Sequence, residues 1–227
     1  MQDAIPEAPE SHLMEKVRMA LRRPEPLRIA PKPPVMIDEI TRLVQENANL
    51  REIFLKSAEK AKFQIDKVSE ADLLDKLAAF LTLHNCKRIG IPTSPLLDRL
   101  NVRSALQFRD FSVLGWGELT LDSSYDLDCG ITDVFAAIAE TGSIAICPTP
   151  LHGRALSLLP PIHVAIVDSS NMVADLIDLM ELLSSKKPSP QITLITGPSK
   201  TADIEGSLVT GVHGPGLVQI FFLANNP

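Results

Sequence analysis

The stretch that decides the fold is PIHVAIVDSSNMVADLIDLMELL, residues 161–183. It begins with an apolar run at 162–167, which has the length and the branched side chains of a buried strand. From Met172 onward the apolar residues follow helical spacing, with Asp175 and Asp178 on the opposite face. A buried strand followed by an amphipathic helix predicts a unit in which the helix covers a sheet.

The same alternation continues through the chain beyond residue 86. Short apolar runs bounded by Gly and Pro predict strands at 88–91, 111–114, 143–147, 162–167, 191–196 and 217–223. Helical patterns between them predict helices at 96–100, 132–140, 172–183 and 203–209. This alternation is typical of a layered α/β fold with a largely parallel sheet. Ligands of such folds bind beyond the carboxyl ends of the strands, so we expect the site there.

Composition separates an N-terminal arm from one domain. Seven of the eighteen prolines lie in residues 1–34, around a helical pattern at 11–23, so we expect a proline-rich arm. Residues 35–227 are predicted to form a single α/β domain, a reasonable size for one domain. Its first section, about 36–85, has helical apolar spacing.

Charge and aromatic content argue against nucleic-acid binding. The aromatic share is 4%, with one Trp and one Tyr, which leaves little material for stacking bases. The net charge is −6, and residues 123–227 carry four basic and ten acidic side chains. An acidic half repels phosphate backbones, so we expect no nucleic-acid partner.

Cysteine usage and the N-terminal sequence indicate a cytoplasmic protein. Cys86, Cys129 and Cys147 are far apart and odd in number, which fits neither a disulfide framework nor a zinc site. An iron–sulfur cluster usually takes four thiolates, and no flavin or nicotinamide motif is visible, so we expect no metal or cofactor in this chain. Residues 1–7 lack the features of a secretory signal, and no apolar run approaches the roughly 18 residues of a membrane span.

The first segment with useful side chains is GITDVFAAIAETGS, residues 130–143. Thr132 and Asp133 suit the start of a short Ala-rich helix, and Gly142 suits a turn into the next strand. Glu140 has two interpretations. It is either a solvated helix end or a pocket-facing acid or base whose pKa is tuned by partial burial.

The second segment is GPSKTADIE, residues 197–205, which follows a predicted strand. Gly197, Ser199, Lys200 and Thr201 would place backbone N–H groups, hydroxyls and a cation around one anion at a helix start. The alternative is a capped helix start without a ligand.

The third segment is GVHGPG, residues 211–216, where glycines such as Gly214 allow close backbone approach around His213. His213 is either a site residue or a structural histidine bonded to a carbonyl, and His163 is interpreted as a satisfied core or sheet-end residue. Arg154 either clamps a carboxylate or pairs with a neighbouring acid.

These segments, together with the stretch from Arg154 through Pro160 to His163, resemble the lactate-utilization protein C family, which is built on the LUD domain. The resemblance covers about residues 130–223. It implies a fold similar to 5-formyltetrahydrofolate cyclo-ligase, ribose-5-phosphate isomerase and the coenzyme A transferases. It also implies a role in oxidising L-lactate to pyruvate with partner proteins that carry iron–sulfur clusters. Lys200 stands where the family pattern has Arg, which keeps the charge but removes the planar fork.

The leading hypothesis is therefore a cytoplasmic subunit of a lactate-oxidising system, with a site for a small carboxylate or for assembly. The residues assigned to it are Glu140, His213 and Asp203 as catalytic groups, and Arg154, Gly197, Ser199, Lys200, Thr201 and Gly214 as anion-binding groups. The alternative is a stand-alone enzyme on a phosphorylated or folate-like substrate, of cyclo-ligase, isomerase or coenzyme A transferase type, with Glu140 as base or nucleophile. A third interpretation is a scaffold with a vestigial pocket. A shared site requires the turns near residues 140, 200 and 213 to meet.

Overall fold

The computed structural model describes residues 12–22, 42–45, 48–185, 191–202 and 208–224. The chain divides into two units, the first ending at Thr41 and the second beginning at Arg42. The described part of the first unit is helix α1 (His12–Ala20) with the turn that follows it. The expected boundary between arm and domain at residues 34 and 35 stays a prediction.

The second unit alternates helices and strands along the chain. Its helices are α2 (Leu50–Lys60), α3 (Glu70–Leu83), α4 (Pro95–Arg99), α5 (Val102–Phe108), α6 (Leu121–Tyr125), α7 (Ala155–Leu158) and α8 (Leu176–Ser184). Its strands are β1 (Gln64–Val68), β2 (Arg88–Ile91), β3 (Ser112–Gly115), β4 (Cys129–Asp133), β5 (Ala136–Ile138), β6 (Ser143–Ile146), β7 (Ile162–Asp168), β8 (Met172–Val173), β9 (Thr193–Ile195), β10 (Lys200–Ala202), β11 (Leu208–Thr210) and β12 (Leu217–Leu223). None of the described helices combines the length with the apolar character needed to cross a membrane.

A parallel sheet forms the centre of the unit. Within the described residues it has six strands in the order β1-β12-β7-β4-β2-β3, and every neighbouring pair is parallel. Strands β7 and β12 pair over seven residues, from Ile162 opposite Leu217 to Asp168 opposite Leu223. The predicted layered α/β fold with a largely parallel sheet is confirmed, and the strands predicted at 88–91 and 217–223 have these bounds in the structure.

A second sheet contains a strand where a helix was expected. In the described chain its order is β8-β5-β6-β9, with antiparallel pairs on both sides of β6. The helix predicted at 132–140 is wrong, because this stretch forms the end of β4 and all of β5. Ala137 packs on one side of this sheet, and Ala136 and Ile138 pack on the other. A short run buried on both faces does not distinguish strand from helix by its pattern, and here β6 and β8 supply ladder partners.

The helix predicted at 172–183 begins later than expected. Met172 and Val173 form β8, and α8 starts after Asp175. The Asp175 carboxylate accepts hydrogen bonds from the backbone N–H groups of Ile177, at 2.8 Å, and Asp178, at 3.0 Å. This N-cap fixes the start of the helix.

Two further helical predictions need correction. Of the helix predicted at 203–209, residues 203–207 lie outside the described residues, and 208–210 belong to β11, which pairs antiparallel with β10. A helix start at Ser199 to Thr201 is therefore wrong, since Lys200–Ala202 is a strand with its own ladder partner. In the section expected to be helical at about 36–85, strand β1 separates α2 from α3.

The apolar core lies in layers. One face of the parallel sheet packs against α3, α4 and α5, with Leu77 and Phe221 in this layer. The opposite face packs against α2 and the second sheet, where the rings of Phe54 and Phe222 stack with centroids 6.0 Å apart. Helix α8 covers the far face of the second sheet through Leu179 and Leu183.

Candidate functional site

The second and third sequence segments lie against each other. The Ser199 backbone N–H donates to the Pro215 carbonyl at 2.9 Å, and the Gly211 N–H donates to the Ser199 carbonyl at 2.9 Å. A Cβ added to Gly214 would lie 3.4 Å from Cβ of Ser199. Residues 197–201 and 211–216 thus form one surface feature, which we call the loop cluster.

The loop cluster lies at the amino ends of strands rather than at the carboxyl edge that the sequence predicted. The Gly216 N–H donates to the Pro161 carbonyl at 3.0 Å, and these residues directly precede β12 and β7. Lys200 and His213 are exposed there, and Ser199 and Thr201 are half-buried. An anion in solution can therefore reach the Lys200 ammonium group and, in part, the hydroxyls of Ser199 and Thr201.

Glu140 lies in the turn between β5 and β6 and is half-buried. Gly142 closes this turn at φ +68°, and a Cβ there would lie 2.2 Å from the Ala58 backbone nitrogen, so only glycine fits. The Glu140 backbone N–H donates to the Ala174 carbonyl at 2.9 Å, which ties the turn to the end of β8.

A chain of hydroxyls connects this turn with the second segment. The Thr141 hydroxyl donates to Ser143 Oγ at 2.7 Å, and Ser143 Oγ shares a hydrogen bond of 2.7 Å with Thr196 Oγ1. Thr196 directly precedes Gly197, whose added Cβ would lie 2.1 Å from the Ala61 carbonyl oxygen.

Most of the predicted site residues thus lie in the loop cluster or near it. Those in the loop cluster are Gly197, Ser199, Lys200, Thr201, His213 and Gly214. Glu140 directly precedes Thr141, and the hydroxyl chain runs from Thr141 to Thr196, next to the loop cluster. Arg154 is exposed as the N-cap of α7, and the last carbonyl of that helix, on Leu158, lies 3.8 Å from the Cβ position of Gly214. Asp203 lies outside the described residues.

A different group of polar residues lies at the carboxyl edge of the parallel sheet. Asp133 ends β4, and the loop 149–154 follows the same edge, since the Thr93 N–H beyond β2 donates to the Leu151 carbonyl at 3.1 Å. Gly153 in this loop packs under Trp116, which directly follows β3; an added Cβ would lie 2.0 Å from the indole ring. The loop thereby covers the ends of β2, β3 and β4.

Two pairs of polar side chains lie on and beside the end of β4, and we call them together the histidine cluster: Thr132 with His163, the second residue of β7, and Asp133 with His152 of the loop. Thr132 Oγ1 and His163 Nε2 share a hydrogen bond of 2.9 Å, and both side chains are 0% exposed. His152, 6% exposed, has its Nδ1 at 3.5 Å from Asp133 Oδ1. Two buried imidazoles therefore lie beside a carboxylate and a hydroxyl.

Both histidines of the cluster are neutral at pH 7. Burial, and to a smaller extent the repulsion from His152 in its protonated form, lowers the pKa of His163 to about 3. Burial also lowers the pKa of His152, against the opposing influence of the Asp133 carboxylate. Neutral imidazoles offer one donor and one acceptor each.

The histidine cluster leaves hydrogen-bonding capacity unused. Among the described residues, the buried side-chain atoms without a hydrogen-bond partner are Asp133 Oδ1, His152 Nε2 and His163 Nδ1. Buried polar atoms are nearly always paired in folded proteins, and each exception requires an explanation. All three exceptions lie in this one cluster.

Sequence reasoning missed this group. It interpreted Thr132 and Asp133 as the cap of a helix that the structure replaces by β4, and His163 as a satisfied residue, although only its Nε2 is bonded. Their positions in the sequence could have drawn attention to two of these residues, because Asp133 ends a strand and His152 lies in a Gly-containing loop. The neighbours themselves are far apart in sequence.

Comparisons with known proteins agree with this fold. The protein-family model described as LUD domain matches residues 50–223. Lactate utilization protein C of Halalkalibacterium halodurans is 29% identical over 184 residues, covering 76% of this chain and 79% of that protein. The proteins of the same name from Anoxybacillus flavithermus and Bacillus subtilis are each 29% identical, over 66% and 69% of this chain and 69% and 70% of their own lengths. The crystal structure of a DUF162 family protein from Deinococcus radiodurans superposes with a TM-score of 0.61 at 24% identity, over 80% of this chain and 100% of that one, and shows a shared fold.

Proposed function

This chain belongs to the LUD domain family, and from that premise we propose that it is a component of a lactate utilization system that oxidises L-lactate to pyruvate. The observation that carries the proposal is the alignment with proteins named Lactate utilization protein C over 66% to 76% of this chain. Those alignments extend beyond a single motif, and the matching family model spans the parallel sheet and the histidine cluster.

We propose further that the electrons pass to iron–sulfur partner proteins. Oxidation of a 2-hydroxy acid releases two electrons and needs an acceptor. Cys86 and Cys129 lie in the apolar core, and burial raises the pKa of the Cys129 thiol well above its usual value. A protonated, buried thiol is a poor cluster ligand, and this supports placing the clusters on partners rather than on Cys129.

The loop cluster suits a small carboxylate or the acidic surface of a partner. Lys200 is exposed in a half of the chain that carries few cations, and it begins β10, with Ser199 directly before it and Thr201 directly after it. A Cβ added to Gly211 would lie 3.1 Å from Cα of Gly216, so these glycines let the two ends of the loop 211–216 approach closely. His213 keeps its proposed role at this site and Glu140 near it, and the roles of Asp203, outside the described residues, and of Arg154, on the loop 149–154, stay proposals.

Deletion of the gene tests the proposal. A deletion strain should lose growth on L-lactate as sole carbon source and keep growth on pyruvate, because only the oxidation step is removed. The wild-type gene supplied in trans should restore growth. Unchanged growth on L-lactate in the deletion strain would contradict the proposal.

Variants in the deletion strain separate a working site from a scaffold. Glu140→Gln and His213→Ala should reduce growth on L-lactate at least several-fold if the turn and the loop cluster act in the pathway. Glu59→Gln, at an exposed position of α2, is the matched control and should behave as wild type. Full growth with both site variants would indicate a scaffold. Turnover of a phosphorylated or folate-like substrate by the purified chain alone would establish the alternative enzyme class.

A further inference from the structure

We propose that two copies of this chain form a dimer through strand β9, which pairs antiparallel with β9 of the second copy. The proposal does not depend on the proposed function. It rests on the backbone of the second sheet and on the exposed side chain of Leu194.

Strand β9 is an edge of the second sheet, and its free backbone groups point outward. In the described chain it pairs with β6 alone, with Ile195 opposite Ile144 and Leu194 opposite Ala145. The Ala145 carbonyl accepts a hydrogen bond from the Phe135 N–H at 2.9 Å, so the backbone groups of Ala145 face β5. Successive residues of an antiparallel strand direct their N–H and C=O groups to alternate sides. Ile144 therefore bonds Ile195, and the N–H and C=O of Leu194 point away from the sheet.

These outward groups offer a place for a further strand. Among the residues that the structure describes, none forms a hydrogen bond with the backbone of Ile192, Leu194 or Thr196. The side chain of Leu194 is 47% exposed and lies on the same face as Ala145, which packs in the layer beneath α8. An added strand would satisfy the backbone groups and cover part of an exposed leucine.

The two edges of the parallel sheet are protected from such pairing, and β9 is not. Strand β1 carries the exposed charges of Asp66 and Lys67. At β3 the Val113 carbonyl accepts a hydrogen bond of 3.5 Å from the Gln107 side chain. Charges and covering groups are common means of keeping another chain from an edge strand. The stretch QITLIT, residues 191–196, contains neither a charged residue nor a proline.

The occupant that fits this edge is a second copy. Antiparallel pairing about a two-fold axis at Leu194 lets the N–H of each Leu194 donate to the C=O of the other. The same register places Ile192 opposite Thr196 of the second copy, and it brings the two Leu194 side chains together on one face. The chain has a net charge of −6, but the strand itself is uncharged, so two copies can meet here without opposing like charges.

Sedimentation velocity of the purified full-length chain tests the proposal. The chain should change from monomer to dimer as its concentration rises through the micromolar range, because pairing of a short strand buries little surface. Leu194→Lys places two ammonium groups opposite each other and should weaken the dimer at least tenfold. Leu83→Lys, at an exposed leucine that ends α3, is the matched control and should leave the dimer unchanged.

A second variant tests the backbone pairing itself. Leu194→Pro removes an N–H that faces away from β6, so the monomer should fold and the dimer should weaken at least tenfold. In the unmodified chain, NMR should show the Leu194 amide protected from hydrogen exchange only at concentrations that form the dimer. The amides of Thr193 and Ile195, which face β6, should be protected at every concentration. Should Leu194→Pro fail to fold, Leu194→Lys still decides, since that side chain is exposed.

Three results would overturn the proposal. They are a monomer at all concentrations tested, a dimer unchanged by Leu194→Lys, and a monomer whose Leu194 amide resists exchange, which would show that the same chain covers this edge. Growth of the deletion strain on L-lactate is a separate measurement, so failure of the dimer and failure of the proposed function are distinguishable.

Discussion

His163 on β7 and Thr132 on β4 are joined by a hydrogen bond of 2.9 Å between Nε2 and Oγ1, across two central strands of the parallel sheet. The register places Thr132 opposite Ala165, so the histidine ring reaches diagonally along the sheet to the hydroxyl. Since both side chains are fully buried, this bond holds a polar ring within an apolar layer. It orients His163 so that Nδ1 remains for another partner.

Removal of the Thr132 hydroxyl should destabilise the fold. Thr132→Val keeps the shape of the side chain but leaves both nitrogens of the buried His163 ring without a protein partner. An unmet buried polar group costs about 1–3 kcal/mol, and we expect a decrease of this size in the free energy of unfolding. Urea denaturation measures it. Thr210→Val, at an exposed position of β11, is the control and should change stability by less than about 0.5 kcal/mol.

The buried histidine should make stability fall with decreasing pH. Burial holds the pKa of His163 at about 3 in the folded chain, against an ordinary value of 6.5. Between these values the unfolded chain binds more protons, so stability is present above about pH 6.5 and is lost as the pH falls toward about 3. One such group contributes a slope of up to ~1.4 kcal/mol per pH unit, and His152, whose pKa is also lowered, acts in the same direction.

Urea unfolding between pH 7 and pH 5 measures this slope. His163→Gln should flatten it, because the variant lacks the group that the unfolded chain protonates. His213→Gln, at an exposed position, should retain the wild-type slope. An unchanged slope in the His163 variant would show that other groups control the acid sensitivity.

Gly153→Ala should displace the single tryptophan. The added Cβ would lie 2.0 Å from the Trp116 ring, so the ring or the loop 149–154 must move. We expect a shift of the fluorescence emission maximum and a loss of about 1–3 kcal/mol, typical of overpacking. Gly117→Ala introduces the same methyl group one residue after Trp116, where no atom lies within 4 Å of the added Cβ, and should leave the spectrum unchanged.

Asp175 should be needed for the start of α8. Its buried carboxylate accepts two backbone hydrogen bonds at the N-terminus of the helix and lies 3.2 Å from the Arg42 guanidinium. Asp175→Ala should cost about 1–2 kcal/mol, in the range for loss of an N-cap. Asp175→Asn keeps a capping oxygen and should cost less. Equal losses in the two variants, measured by thermal unfolding, would assign the effect to the ion pair rather than to the cap.

The sequence was sufficient for four of the six strands of the parallel sheet, β2, β3, β7 and β12, but not for β1 and β4. The runs at 88–91 and 217–223 are strands in the structure because a strand buried on both faces needs a continuous apolar sequence, which is visible locally. The family could also be recognised from the sequence, because the segments at 130–143, 197–205 and 211–216 carry its characteristic glycines and polar residues in order. The contact between the last two segments was expected from the hypothesis of one shared site, and Ser199 donates a hydrogen bond to Pro215 in the structure.

The local sequence pattern predicted the wrong secondary structure where pairing with neighbouring segments decides it. The alanines of 132–140 suit a helix by composition, but β6 and β8 offer ladder partners and the two faces of β5 pack in different layers. Strand β10 likewise forms because residues 208–210 return beside it. In both places a pairing between separate segments overrides local propensity.

The sequence by itself thus determined the layered α/β class, the family and four of the six parallel strands, because a buried strand and an amphipathic helix are each recognisable from the pattern of consecutive residues. Only the tertiary structure decided that Thr132 meets His163 and that His152 meets Asp133. The reason is physical: whether a polar atom is satisfied depends on the groups that the sheet order brings beside it, and these come from different strands and loops. The unpartnered nitrogens and oxygen of the histidine cluster therefore exist only once the chain has folded.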